Sequence, residues 1–235
     1  MLKRIKNILK SICLFVFQTS LLAIIIYRVL PVAYTPLMLL RYIQNADGER
    51  KNGISKEWKP LYDLGREVPL SALTGEDPKF FNHFGFDFKQ IRHAAENNME
   101  GGKTQGASTI SQQTAKNLFL LPMRSYIRKG LEVYFTALME LVWSKRRILE
   151  VYLNIIETGP AIFGVEAASQ KYFKKLASKL NVAQSARLIA VLPNPRRWHP
   201  DNLGYDFWDK CNKPNIVLNN HYRAIIFQRG YVQGF

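Results

Sequence analysis

Acidic residues are scarce in this 235-residue chain: 18 Asp and Glu stand against 33 Lys and Arg, a formal net charge of +15. Such an excess points to an anionic partner, whether nucleic acid, an anionic membrane surface or a phosphorylated substrate. Cysteine is rarer still, with Cys13 and Cys211 the only two. Cys13 lies in an apolar run, so a disulfide to Cys211 is not expected. His83, His93, His199 and His221 form no HxxxH pair and there is no CxxC, which removes the familiar zinc spacings. Internal repeats, low-complexity tracts and the alternating strands of a sheet are all missing. The motif S-x-x-K of acylating-serine transpeptidases occurs nowhere. What remains is 47% hydrophobic, enough to bury a core and to exclude a disordered chain.

The N-terminus carries Lys3, Arg4, Lys6 and Lys10, and an uncharged, mostly apolar run follows from Ser11 to Tyr27. A bilayer core takes about 20 apolar residues, or about 17 at the short end. The run meets that length, with Arg28 able to snorkel at its end. Basic residues ahead of it place the N-terminus inside and the main domain outside the cytoplasm. A cleaved signal peptide is the competing reading; no clear small-x-small site follows the run. The apolar 29–40 segment holds Pro31 and Pro36, which suits a segment lying along the membrane better than a second span. The expected division is a basic cytoplasmic N-terminus (1–10), an anchor with a membrane-associated segment (11–40), a linker (41–69) and one mainly α-helical domain (70–235).

Within that domain FKQIRHAAENNM reads as a helix with Ile91, Ala94 and Ala95 on one face. GGKTQGA is a glycine-rich loop. Ser108 and Thr109 are N-cap candidates for a helix through STISQQTAKNLFL. Leu131, Phe135, Leu138 and Val142 form one helical stripe and are expected to be buried. Ser144 is placed to cap a further helix running to Ile156. TGPAIFG reads as a turn, VEAASQKYF and NVAQSARLIAVL as helices, and HYRAIIFQRGYVQGF as a last helix.

Four segments concentrate the reactive side chains. EDPKFFNHFGFD (76–87) sets Glu76, Asp77, His83 and Asp87 among aromatics. GASTISQQTAKN runs from Gly106 to Asn117, RKGLE from Arg128 to Glu132, and KRRILEVYLN from Lys145 to Asn154. In this order and spacing they resemble the motifs of the peptidoglycan glycosyltransferases, most closely the monofunctional biosynthetic transglycosylases of Gram-negative bacteria. The resemblance covers roughly residues 60–200 and the anchor. Two positions depart from the family pattern: Ser111 replaces a usual threonine, and Thr114 an apolar residue.

The resemblance implies a two-lobed, lysozyme-like domain behind one membrane helix. It implies a periplasmic enzyme, tethered to the inner membrane, that polymerises lipid II into β-1,4-linked glycan and releases undecaprenyl pyrophosphate. An attacking sugar hydroxyl must shed a proton, and a carboxylate can take it; Glu76 is the matching residue. Its aromatic neighbours are expected to raise its pKa by desolvation. The leaving pyrophosphate needs fixed cations, and the family positions that hold phosphates correspond to Lys116, Arg124, Arg128 and Lys129. The second essential glutamate corresponds to Glu132, which positions cations, binds a metal or assists the leaving group; an i, i+3 ion pair with Lys129 is the plain alternative. Ser108, Thr109 and Gln112 would line the cleft. His83 reads as structural, Glu150, Tyr152 and Asn154 as scaffold, with Glu150 pairing to Arg146 or Arg147.

No cofactor is required by the sequence, and a divalent cation (Mg or Mn) at the pyrophosphate is left open. Expected partners are lipid II, the growing strand, the inner membrane and other cell-wall or division proteins; nucleic acid is not expected outside the cytoplasm. The chain ends at Phe235, so no transpeptidase domain is expected. A lysozyme-like hydrolase and a non-catalytic wall scaffold are the rival readings. A hydrolase has no use for the phosphate-binding cations, and a scaffold would tolerate loss of both glutamates.

Overall fold

The computed structural model describes residues 2–46, 53–99, 107–123 and 125–202. Helix α1 (Leu2–Tyr27) is the one helix among the described residues long and apolar enough to cross a membrane. Most of its apolar side chains are exposed, but Ser20 and Ile24 are buried against the main domain. Ser20 Oγ lies 2.7 Å from Tyr134 OH. Trp143 Nε1 donates to Ile24 O at 2.8 Å. Arg147 donates to Tyr27 O at 2.8 and 3.0 Å. The domain thus grips one side of α1 through polar contacts that need particular side chains.

Helix α2 (Pro36–Ala46) begins at Pro36, where the missing N–H costs nothing; Thr35 Oγ1 accepts from Met38 N at 3.3 Å. Residues 53–69, expected within a linker, pack into the domain instead. Strand β1 (Ser55–Lys56) joins a three-stranded sheet in the order β1, β3 (Ile162–Phe163), β2 (Glu157–Gly159). Leu61 and Leu64 are buried in a 3-10 turn, Leu61–Leu64. The amide of Asn154 bonds both N and O of Lys59 at 2.8 Å, and Glu150 Oε2 accepts from Leu61 N at 2.9 Å. Fourth-motif polar groups therefore hold a segment whose own sequence looks loose. The sheet is too short, two or three residues a strand, to show an alternating pattern; TGPAIFG, expected as a turn, contains most of its hairpin.

Helix α3 (Glu67–Glu76) runs through Gly75 and ends on Glu76. Helix α4 (Phe88–Met99) follows Asp87, whose Oδ1 accepts from Gln90 N at 3.0 Å; of Ile91, Ala94 and Ala95 only Ala94 is buried. Helix α5 (Ile110–Phe119) packs against both α6 (Tyr126–Val142) and α7 (Lys145–Ile155), and α3 packs on α9 (Val182–Ala190). Helix α8 (Val165–Phe173) follows the hairpin, and Ser144 caps α7 as expected. The last helix expected, over 221–235, lies outside the described residues, as does Cys211.

Helix α6 meets the expected burial only in part, with Phe135, Leu138 and Val142 packed against the core but not enclosed by it. Its fully buried residues are Glu132, Thr136, Met139 and Glu140, while Leu131 is exposed and Phe135, Leu138 and Val142 are half-buried. The stripe rule assumes that apolar groups face the core. Here Glu140 meets Ser111 of α5 and Lys145 at the start of α7, and part of the apolar face meets α1.

Candidate active site

Helix α5 is the spine of the site. Thr109 caps it, its side chain accepting from Gln112 N, while Gln112 Oε1 accepts from Thr109 N at 3.1 Å. This reciprocal capping fixes where the first turn begins. Gln113, Lys116, Asn117 and Leu120 then fall at i, i+3, i+4 and i+7 on one face, and all four line a cavity of about 330 Å³. Arg128 lines it too. Leu37, Met123, Ile156 and Leu192 supply apolar wall, and Arg41, paired with buried Glu157 at 3.1 Å, supplies a further edge.

Glu76 stands against Gln113. Its Oε2 accepts from Gln113 Nε2 at 2.8 Å, and Gln113 Oε1 accepts from Tyr152 OH at 3.3 Å. Tyr152 is fully buried. Burial pushes its phenol well above the ordinary range, and the charges of Glu76 and Asp77 push the same way. It therefore stays a protonated donor. A donor on one side and a carboxylate on the other leave the Gln113 amide one satisfied orientation.

Asp77, next to Glu76, is buried. Both its oxygens lie 3.0 Å from His83 Nε2, and Oδ2 accepts from Ile110 N at 3.1 Å. A carboxylate at the start of α5 is also favoured by the helix dipole. Gly85 takes φ +76°, and its carbonyl accepts from Thr109 Oγ1 at 2.6 Å. The opening motif is thereby fastened to the N-terminus of α5, which sets Glu76 over Gln113. The aromatics pack behind this loop: buried Phe80 meets Phe81 edge-on at 5.1 Å, with Lys145 Nζ 4.5 Å from its ring centre.

The buried carboxylate of Glu132 accepts from Arg128 Nη1 at 3.0 Å and from Lys129 Nζ at 2.5 Å. Arg128 Nε is buried and has no hydrogen-bond partner among the described residues. Lys116 makes no ion pair or side-chain hydrogen bond there either. Burial lowers the Lys116 pKa, Glu132 opposes this, Arg128 and Lys129 lower it further, and Glu76 raises it. One ammonium thus feels both candidate carboxylates. Among the described residues no three His, Cys, Asp or Glu side chains gather as a metal site. Both Glu132 oxygens are taken by cations, a poor fit to a protein-held divalent ion.

A transglycosylase family profile matches residues 43–221, well over half of the chain. The chain belongs to the transglycosylase family. A biosynthetic peptidoglycan transglycosylase of Bdellovibrio bacteriovorus is 52% identical over 196 residues, covering 83% of this chain and 78% of that protein. One from Caulobacter vibrioides is 47% identical over 194 residues, 83% and 82% of the two chains. One from Stutzerimonas stutzeri is 44% identical over 220 residues, 94% and 86%. As a transglycosylase the chain is an enzyme of glycosyl transfer.

The structure brings most of the expected transglycosylase site residues together. Lys116, Arg128, Lys129 and Glu132 share one cluster, and Glu76 reaches it through Gln113 and the field at Lys116. Arg124 and most of the glycine-rich loop, 101–106, lie outside the described residues. Ser108 is exposed at the head of α5, its carbonyl 3.5 Å from Gln113 Nε2. Gln112, expected to line the cleft, is buried and spent on capping; its neighbour Gln113 faces Glu76. The Q-Q pair hides this choice until the cap fixes the helix register. Tyr152, expected as scaffold, is bonded into the site. Glu150 pairs with Arg147. The departures are accommodated: Ser111 donates to Glu140 at 2.5 Å, and Thr114 turns its hydroxyl to Ile110 O at 2.8 Å.

Proposed function

We propose that this transglycosylase polymerises lipid II into β-1,4-linked glycan strands, releasing undecaprenyl pyrophosphate, as a step of cell-wall synthesis. The observation that carries the reading is Lys116, a desolvated ammonium without a bonded partner among the described residues, in a cavity whose other polar wall is tied to Glu76. A buried charge left unpaired is costly. A bound pyrophosphate would supply its counter-charge and would also meet the unspent Arg128 Nε.

In this mechanism Glu76 takes the proton from the acceptor hydroxyl as its oxygen attacks C1 of the donor sugar. The C1–oxygen bond to pyrophosphate breaks on the opposite face, inverting the anomeric carbon. The electron pair leaves on pyrophosphate, met by Lys116, Arg128, Lys129 and Arg124. General-base help contributes about 10²–10⁴-fold. Glu132 holds Arg128 and Lys129 in place. Ser108 at the cleft mouth contacts the sugar–phosphate region. The apolar wall suits the polyprenyl chain.

The rest of the proposal concerns placement. The domain, read as two lobes in the manner of lysozyme over 70–235, sits in the periplasm. Helix α1 is its single inner-membrane span, with Lys3, Arg4, Lys6 and Lys10 in the cytoplasm. In this reading it makes strands without cross-linking them. The test is incubation of the detergent-solubilised chain with labelled lipid II and penicillin. Long, uncross-linked glycan is the expected product. Release of free disaccharide from preformed glycan would favour a hydrolase instead, and no reaction from folded protein would favour a scaffold.

A further inference from the structure

A second cavity, of about 570 Å³, lies on the far side of α2 from the cleft. Leu37 and Arg41 of α2 face the catalytic cavity, while Leu39 and Tyr42 face this one. The spacing explains the division, because positions 37 and 41 lie on the helix face opposite 39 and 42. Ala33 and Tyr34, a few residues beyond the end of α1, complete the wall with Ile54, Lys56 and Trp58.

Its chemistry is that of a membrane interface. Tyr34 and Tyr42 are exposed at its rim, and Tyr and Trp are the residues enriched at headgroup depth. Lys56 enters from β1. Its ammonium donates to Ala33 O at 2.7 Å and to Val32 O, and lies 5.7 Å from the centre of the Trp58 ring. No carboxylate pairs with it among the described residues; neighbouring Glu57 is taken by Lys59 at 2.8 Å. Burial alone lowers the Lys56 pKa to about 8, which leaves it mostly charged at neutral pH. The cavity therefore holds a partly desolvated cation facing neutral dipoles, beside apolar and aromatic wall, where the chain leaves α1.

We propose that this cavity is a site for one anionic phospholipid, with Lys56 Nζ on the phosphate and Tyr34, Tyr42 and Trp58 around the glycerol and upper acyl chains. A phosphate supplies the counter-charge that the described residues do not. The apolar wall provides for the chains, and α1 delivers the cavity to the bilayer surface. The site rests on the reading of α1 as a membrane span. It shares no lining residue with the catalytic cavity, and α2 joins the two.

The test uses the full chain reconstituted into phosphatidylcholine vesicles containing a small share of brominated lipid. The Trp58 signal is the wild-type fluorescence minus that of Trp58→Phe. Brominated phosphatidylglycerol is expected to quench it with an apparent affinity about fivefold above that of brominated phosphatidylcholine, the worth of one lysine at an anionic surface. Lys56→Met should remove that preference and Lys56→Arg should keep it, which separates charge from packing. Flotation with the vesicles reads the anchor separately. Wild-type protein that floats without phosphatidylglycerol preference overturns the lipid site alone, and protein that does not float overturns the anchor as well. Preference that survives in Lys56→Met, or that free inorganic phosphate abolishes, also overturns it.

Discussion

Gln113 joins Glu76 to Tyr152: its Nε2 donates to Glu76 Oε2 at 2.8 Å while its Oε1 accepts from the Tyr152 hydroxyl at 3.3 Å. A fully buried tyrosine thus orients a half-buried carboxylate through one amide. Removing the donor by Gln113→Leu is expected to lower kcat about tenfold or more, since a hydrogen bond to a charged group is worth about 1.5–3 kcal/mol. The acid limb of the kcat/KM profile should move to higher pH, because the lost bond favoured the carboxylate form. Steady-state polymerisation across pH checks both.

Tyr152→Phe keeps the packing and removes only the hydroxyl. It should cost about fivefold in kcat, the loss of one neutral hydrogen bond, with little change in KM. It should also be nearly silent in a Gln113→Leu background, because the two act in series. Full additivity in the double variant would break the chain of contacts.

Much of this was legible in the sequence, and the misses have physical causes. Helices α4 and α8 begin and end where local chemistry predicts, and His83, read as structural, bonds Asp77 within its own motif. The buried face of α6 was not legible. Periodicity reports where apolar residues lie, not whether a core or α1 covers them. Residues 53–69 look like a linker because the groups that fix them, Asn154 and Glu150, lie some ninety residues away. Gln113 was missed in favour of Gln112 because only the closed cap at Thr109 shows which of the two turns into the cavity.

Lys116 carries a pH signature. Burial lowers its pKa, so its charge is lost at a lower pH than that of an ordinary lysine. KM for lipid II should rise as pH climbs through that lowered value, and be flat well below it. Lys116→Arg keeps its charge at all these pH values, so its KM should lack the alkaline rise even if kcat falls. Initial rates against lipid II concentration from neutral to alkaline pH check this.

Glu132 pairs with both Arg128 and Lys129 from a buried position. If it works by holding these cations, Glu132→Gln and Lys129→Met should each lower kcat about tenfold or more, and the double variant should lose much less than the product of the two. Multiplying losses would give Glu132 a separate contact with the leaving group. A double-mutant cycle on polymerisation rates decides.

Gly85→Ala tests the fastening of the opening motif. A Cβ there would stand 2.8 Å from Thr136 Cγ2 and 3.1 Å from Glu140 Cγ, on a backbone at φ +76°. The strain should cost about 1–3 kcal/mol, read as a lowered Tm in detergent, and activity should fall as Glu76 loses its place over Gln113.

The central claim is that Glu76 is the base of a lipid II polymerase, and one comparison tests it most directly. Wild type and Glu76→Gln, both folded by circular dichroism, are given labelled lipid II with penicillin present. Glycan strands from the wild type and none from Glu76→Gln are the predicted result. Strands of equal yield from both would contradict it and remove Glu76 from the chemistry.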